Sequence, residues 1–302
     1  MPLSPLPSSY DVLLLDLDGC VWVGDEPTPG AVEAIEAARA AGKAIAFVTN
    51  DGRHATEDFV RKLWRLGFRA SVEEVVTVGG ALQHALNEHH AGRTAYVIGS
   101  EAVHRHVADA GLRVVNGTAF ASRAEVVVVA GHELFDYEEL RCATQAVLRG
   151  ADLVGAGRDP TFPMPDGPWP ATGAVLAAVE TATGVEAWTV GKPEPHLFRT
   201  ALDRLGDGRA LVVGDRLDAD VGGAAAAGLD AALVLTGATG EDEARDALAA
   251  ARAARGAAAE EPPADRSAAA EGPPAGRSAP DADPPRASLV AVAPTLASLL
   301  LD

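Results

Sequence analysis

YDVLLLDLDG, residues Tyr10–Gly19, is an apolar run that ends in two aspartates one residue apart and a glycine. The run is continuously apolar rather than alternating, which marks a strand covered on both faces. In an extended segment residues i and i+2 point the same way, so Asp16 and Asp18 are expected to face one site. Gly19 lets the backbone turn sharply there. Two carboxylates this close repel, and a bound cation is the simplest way to stabilise them.

Further runs repeat the pattern along the chain: Ala44–Val48 (AIAFV), Thr94–Ile98 (TAYVI), Glu125–Val129 (EVVVV), Arg209–Val213 (RALVV) and Ala231–Leu235 (AALVL). Helical stretches lie between them. Ala31–Ala41 carries Val32, Ile35 and Ala38 on one stripe, and Thr56–Leu66 carries Phe59, Leu63 and Leu66 on one face. Repeated strand–helix units predict an α/β fold with a doubly wound, mostly parallel sheet. Ligands of such sheets bind beyond the carboxyl ends of the strands, so the residues following each run are the candidates for function.

Those residues carry chemistry. Ala44–Val48 is followed by Thr49, Asn50, Asp51 and Gly52, which offer a hydroxyl, an amide and backbone N–H groups suited to an anion. Gly191-Lys192-Pro193 sets a lysine in a constrained turn before a helix around His196–Leu205. Arg209–Val213 runs into Gly214, Asp215, Arg216, Leu217, Asp218, Ala219 and Asp220, a second acidic cluster at a strand end.

In that order, and through the stretches DLDGCVWVGDEPTPGA (Asp16–Ala31), FVTND (Phe47–Asp51), RDPTFPMPDGPWPATGA (Arg158–Ala174), VGKPEP (Val190–Pro195) and VVGDRLDADVGGAAAAG (Val212–Gly228), the chain resembles the haloacid dehalogenase-like phosphohydrolases, subclass IIA. That subclass contains 4-nitrophenylphosphatase-like, phosphoglycolate, pyridoxal-phosphate and nucleotide phosphatases. The resemblance implies a Rossmann-like core with an inserted α/β cap. It also implies a Mg²⁺-dependent phosphatase acting on a small phosphorylated metabolite. Asp16 would be the nucleophile that becomes an aspartyl phosphate. Asp18 would protonate the leaving oxygen and then deprotonate the hydrolytic water. Thr49, Asn50, Asp51 and the neighbouring amides would hold the phosphate, and Lys192 would neutralise it together with Asp16. Mg²⁺ would take the Asp16 carboxylate, the Asp18 backbone carbonyl and Asp215. Asp220 would stand behind, orienting a metal-bound water or Lys192, and Asp218 would face solvent. Relatives often pair through the cap, so a homodimer by that route is expected.

On this basis residues 1–73 are the first part of the core, 74–186 the cap, 187–240 the second part of the core, and 288–302 its terminal strand and helix. Residues 241–287 break the pattern. From Gly256 to Ala287 there is no Val, Ile, Leu, Met or aromatic residue, which reads as a disordered insert. Its lead-in, Glu241–Arg255, is expected to extend as a charged, solvent-facing helix. Three positions depart from the subclass: Asp51 stands where a second Asn is usual, Ala171 where Gly is frequent, and Cys20 where Thr or Val is usual. The first two bear on substrate preference rather than on the chemistry.

Composition removes other classes. The 302 residues are enough for two domains. A formal net charge of −18 opposes a nucleic-acid partner, which needs a basic footprint. Two cysteines, Cys20 and Cys142, make no disulfide framework and favour a reducing compartment. No apolar run spans a bilayer and MPLSPLPSSYD has no basic residue, so no membrane partner and a cytoplasmic location are expected. His104 and His106, two apart on a helix, face different ways and do not make a zinc pair. Two alternatives stay open: a phosphate-binding or regulatory protein with little turnover, and a phosphomutase on the same scaffold.

Overall fold

Along Val12–Asp16 (β1) successive side chains enter different apolar clusters. Val12 and Leu14 join one, and Leu13 and Leu15 the other, all of them buried. A central strand does this when both faces of its sheet are covered. In a computed structural model, which describes residues 2–52, 54–164, 167–206, 208–260 and 288–302, the chain is built on two such sheets.

In chain order, β1 is followed by α1 (Ala31–Ala40), β2 (Ala44–Thr49), α2 (Thr56–Arg65), β3 (Val75–Thr77) and α3 (Val78–His90). Then come β4 (Thr94–Gly99), α4 (Glu101–Asp109), β5 (Arg113–Val114), β6 (Val126–Gly131), α5 (Tyr137–Val147), β7 (Asp152–Gly155), α6 (Thr172–Thr183) and β8 (Trp188–Thr189). The chain ends with α7 (His196–Leu205), β9 (Ala210–Gly214), α8 (Gly222–Ala227), β10 (Asp230–Val234), α9 (Glu241–Glu260), β11 (Leu289–Ala293) and α10 (Leu296–Leu300). The first sheet has six strands in the order β11-β10-β9-β1-β2-β3, and the second has five in the order β8-β7-β6-β4-β5. Every pairing in both is parallel. Two short antiparallel hairpins, Trp22–Val23 with Glu26–Pro27 and Thr161–Met164 with Gly167–Pro170, leave these sheets.

One apolar cluster runs from the first sheet through α3 into the second. It joins Leu14, Val48 and Val212 to Leu82 and Leu86, and these to Val97, Val126 and Val128. The far face of the second sheet has its own core, with Val127 and Val129 packed under Ala143 of α5 and Leu176 of α6. The sheets exchange the chain slightly later than residues 74 and 186, the boundaries expected from sequence. Val75–Thr77 pairs with β2 in the first sheet, and Trp188–Thr189 pairs with β7 in the second. Both pieces are too short to show a period of their own, so only pairing assigns them.

The stretch 241–287 divides. Its first part is ordered as α9, and residues 261–287 lie outside the described residues. The helix is also not free of the core, contrary to the solvent-facing expectation. Ala244 is buried against Leu233 and Leu289, and Ala247, Leu248 and Ala251 follow on the same stripe. Alanine at i, i+3 and i+7 makes an apolar face too small to stand out in composition, yet flat enough to cover the edge strand. Among the described residues, no helix is long and apolar enough to cross a membrane.

Candidate active site

Parallel register assembles the site. Asp16 pairs with Val48 of β2, so Thr49 stands one residue beyond it. Leu15 pairs with Val213 of β9, which brings Gly214 and Asp215 to the same rim. Strand ends drawn level in this way converge although 176 positions separate Asp16 from Lys192, whose ammonium reaches it.

Lys192 is the hub. Its Nζ donates to Asp16 Oδ1 and, at 2.7 Å, to Asp220 Oδ1, with the side chain only 3% exposed. Asp220 Oδ2 accepts from the backbone N–H groups of Asp215 and Arg216, both at 3.1 Å. Asp16, Asp215 and Asp220 each offer a carboxylate oxygen within 4.8 Å of the others. They are not equivalent. Both oxygens of Asp220 are engaged, whereas Asp215 Oδ2 takes the Ala238 N–H at 2.6 Å and Asp215 Oδ1 is buried with no partner. A buried lone pair without a donor is costly unless a cation meets it, so Asp215 and Asp16 are the carboxylates that fit a metal. Asp220 is instead bonded to Lys192.

Three carboxylates face one ammonium here, and the titration behaviour follows. Burial pushes the Asp16 carboxyl well above its ordinary value, Lys192 pulls it back, and Asp220 and Asp215 push it up again. Burial, then Asp220, raises Asp215 to about 6. Burial disfavours the charge on Lys192, but Asp16 and Asp220 outweigh it and hold the ammonium above its usual range. The site has an excess of negative charge that only a cation or protons can relieve.

Asp18 is not part of this buried knot. It is exposed, and its Oδ1 accepts the indole N–H of Trp22 at 2.7 Å. Trp22 is fully buried, with the Lys62 ammonium 4.4 Å above its ring. The second aspartate is therefore exposed and oriented by the Trp22 indole, because β1 ends at Asp16 and the chain turns after it. Thr49 is buried, and its Oγ1 accepts from the Asp51 N–H at 3.0 Å, which leaves the hydroxyl proton to be donated.

Two expectations for the phosphate-holding residues change. The Asn50 amide has no donor left for phosphate. Its Nδ2 donates to Asp159 Oδ2 at 2.8 Å and to the Lys192 carbonyl at 3.0 Å, and its Oδ1 accepts from the Lys192 N–H at 2.7 Å. Asn50 fixes the backbone of Lys192 instead. The Asp51 N–H is spent on Thr49, and its carboxylate meets His54 Nδ1 at 3.0 Å. The next helix starts at Thr56, and the Ala55 N–H ahead of it is taken by Asp58.

Several residues had no sequence signal. Thr236 Oγ1 donates to the Gly19 carbonyl at 2.5 Å. Arg216 holds Asp218 at 2.8 Å, so that side chain, exposed as expected, is also paired. Gly237 is packed against the Asp215 carboxylate: a Cβ there would lie 1.9 Å from Asp215 Oδ2. Gly237→Ala is therefore expected to displace Asp215 and raise the Mg²⁺ concentration needed for half-maximal thermal stabilisation by at least about tenfold, with overpacking costing about 1–3 kcal/mol. An unaltered Mg²⁺ titration would contradict this packing.

Residues 13–113 match the family described as Haloacid dehalogenase-like hydrolase, and residues 189–258 match the HAD-hydrolase-like family. The D-glycerol 3-phosphate phosphatase of Mycobacterium tuberculosis is 41% identical over 230 residues, covering 76% of this chain and 64% of that protein. The chain thus spans a little under two-thirds of that relative. Chronophin of Homo sapiens is 36% identical over 253 residues, covering 79% of this chain and 85% of its own length. The crystal structure of a glycerol phosphate phosphatase from Mycobacterium tuberculosis in complex with magnesium aligns with a TM-score of 0.78 at 35% identity, over 99% of this chain and 79% of that one.

Proposed function

The chain is a hydrolase that belongs to the haloacid dehalogenase-like family, and on that premise we propose that it is a Mg²⁺-dependent phosphatase of small phosphorylated metabolites, working through an aspartyl phosphate on Asp16. The observation that carries this is the Lys192 ammonium clamped between Asp16 and Asp220, beside a buried Asp215 oxygen that has no donor.

Asp16 Oδ attacks phosphorus and the bond to the leaving oxygen breaks, with Asp18 giving its proton to that oxygen. Asp18, now a carboxylate, takes a proton from water as the water attacks the acyl phosphate. Inorganic phosphate leaves and Asp16 is restored. Lys192 and the Thr49 hydroxyl stabilise the charge spread over the transferring phosphoryl oxygens. The Asp16 and Asp215 carboxylates, with the Asp18 carbonyl, would hold Mg²⁺, which supplies positive charge to that group. The second sheet serves as the cap that shelters the reaction and selects the substrate. Glycerol phosphates head the candidate substrates because the mycobacterial relative is named for one. The free cysteines and the acidic surface suit the cytoplasm.

The test is hydrolysis of an aryl phosphate and a panel of phosphorylated metabolites after exhaustive chelation, with metals added back. Activity restored by Mg²⁺ and absent in EDTA is expected; full activity in EDTA, or stronger support by Zn²⁺, would overturn the proposal. The pH dependence has a definite sign. Asp215 has a folded value of about 6 against an ordinary 3.8, so the folded state holds its proton more tightly than the unfolded chain. The metal-free protein should accordingly lose stability as pH rises from about 4 to about 6 through ionisation of Asp215. Mg²⁺ binds the ionised form, so its stabilisation should grow over the same interval. A thermal shift by Mg²⁺ that is equal at pH 4.5 and pH 7 would contradict this.

A further inference from the structure

Asp159 lies on the second sheet's side of the molecule and reaches the first. It follows β7, and its carbonyl accepts the Gly173 N–H at 2.9 Å at the start of α6. That junction is tight, since a Cβ at Gly173 would lie 2.2 Å from the Arg158 carbonyl oxygen. Arg158 is in turn tied to the Ala187 carbonyl at 2.9 Å and to Glu180 at 3.1 Å. The backbone of Asp159 is thus mounted on the second sheet and its helix.

Its side chain points across the boundary. Oδ2 accepts from Asn50 Nδ2 at 2.8 Å, and Oδ1 faces Arg216 Nε at 3.6 Å. Asn50 and Arg216 sit on two different strand ends of the first sheet, one following Thr49 and the other following Asp215. The Asn50 amide is the link to the chemistry. Its oxygen and its second N–H close a ring with the N–H and C=O of Lys192. An amide is almost symmetric in shape, so only its hydrogen-bond partners decide which end is nitrogen. Turned over, it would present oxygen to the Asp159 carboxylate and the Lys192 carbonyl, and nitrogen to the Lys192 N–H, three repulsive contacts in place of three bonds. Asp159 is the partner that meets Asn50 from outside the Lys192 loop.

We propose that Asp159 is a positioning residue: through the Asn50 amide it sets the placement of Lys192 against Asp16, and so couples the position of the second sheet to the reactive centre. This rests on the phosphatase reading for its kinetic consequences but not for its structural ones. A misplacement of about 1 Å at a reacting group can cost 10²-fold in rate. Asp159→Ala is accordingly expected to lower kcat by about 10- to 100-fold while KM for a small aryl phosphate changes less than about threefold. Asp159→Asn, which keeps an acceptor oxygen, is expected to recover most of kcat.

The decisive experiment is a cycle of wild type, Asp159→Ala, Asn50→Ala and the double variant, with kinetics and amide hydrogen exchange of Lys192 measured on the full-length protein. If Asp159 acts through Asn50, adding Asp159→Ala to Asn50→Ala changes kcat by less than about twofold. The Lys192 N–H, held by Asn50 Oδ1, exchanges at least about tenfold faster in Asp159→Ala than in wild type. Full additivity, a rise in KM with kcat unchanged, or unaltered exchange at Lys192 would each overturn the inference. A wild-type protein without phosphatase activity would instead overturn the functional reading, and the exchange data would still decide the coupling.

Discussion

Asp16→Asn is expected to lower kcat by at least about a hundredfold, a rise of roughly 3 kcal/mol in the barrier, while the metal-free protein melts at the same temperature or higher. The two halves have one cause. Asp16 is the oxygen nucleophile proposed here, and an amide of the same shape cannot attack phosphorus or release a covalent phosphate. As a structural element, the ionised carboxylate is a burden: burial, Asp220 and Asp215 all oppose its charge, and Lys192 only partly offsets them. The substitution leaves Lys192 bonded to Asp220 and removes one of three crowded negative charges. Steady-state kinetics in saturating Mg²⁺ and melting in EDTA check both halves. Turnover above about a hundredth of wild type would remove the nucleophile assignment.

Lys192→Met has the opposite signature, loss of activity together with loss of stability. Among the described residues the ammonium is the single cation bonded to Asp16 and Asp220, and all three groups are buried. Removing one partner of a buried ion pair leaves the others uncompensated, which costs about 3–5 kcal/mol. The transferring phosphoryl group loses its fixed positive charge as well, and kcat should fall by about 10³-fold or more. Mg²⁺ should recover part of the stability and little of the rate, because it meets Asp16 and Asp215 rather than the position of Nζ. Urea unfolding with and without Mg²⁺ measures the first effect; wild-type stability in EDTA would contradict the clamp.

The strand ends were readable because each is an unbroken apolar run followed by a polar residue, and parallel register lines such ends up. Asp16, Thr49, Lys192, Asp215 and Asp220 all converge at these ends, with Asp220 bonded to the Lys192 ammonium. Strand periodicity makes Asp18 face the same way as Asp16, but the strand stops two residues short of it, and Trp22 decides its direction. Asn50 illustrates a different limit. Its residue type suits an anion or a backbone equally well, and only the approach of Lys192 and Asp159, 142 and 109 positions away, chooses between them. Gly237 carried no signal because its constraint comes from a carboxylate 22 positions earlier in the chain, Asp215. The docking of α9 was hidden for a similar reason, since alanine reads as neutral wherever it stands.

The most direct measurement traps the covalent intermediate. Wild-type protein turning over an excess of aryl phosphate in Mg²⁺ is quenched in acid, reduced with borohydride and mapped by peptide mass spectrometry. An acyl phosphate on Asp16 is reduced to the alcohol, so the mechanism predicts homoserine at position 16, absent in EDTA and absent from Asp16→Asn. Sustained turnover with Asp16 unmodified, or an adduct trapped on any other residue, would contradict it.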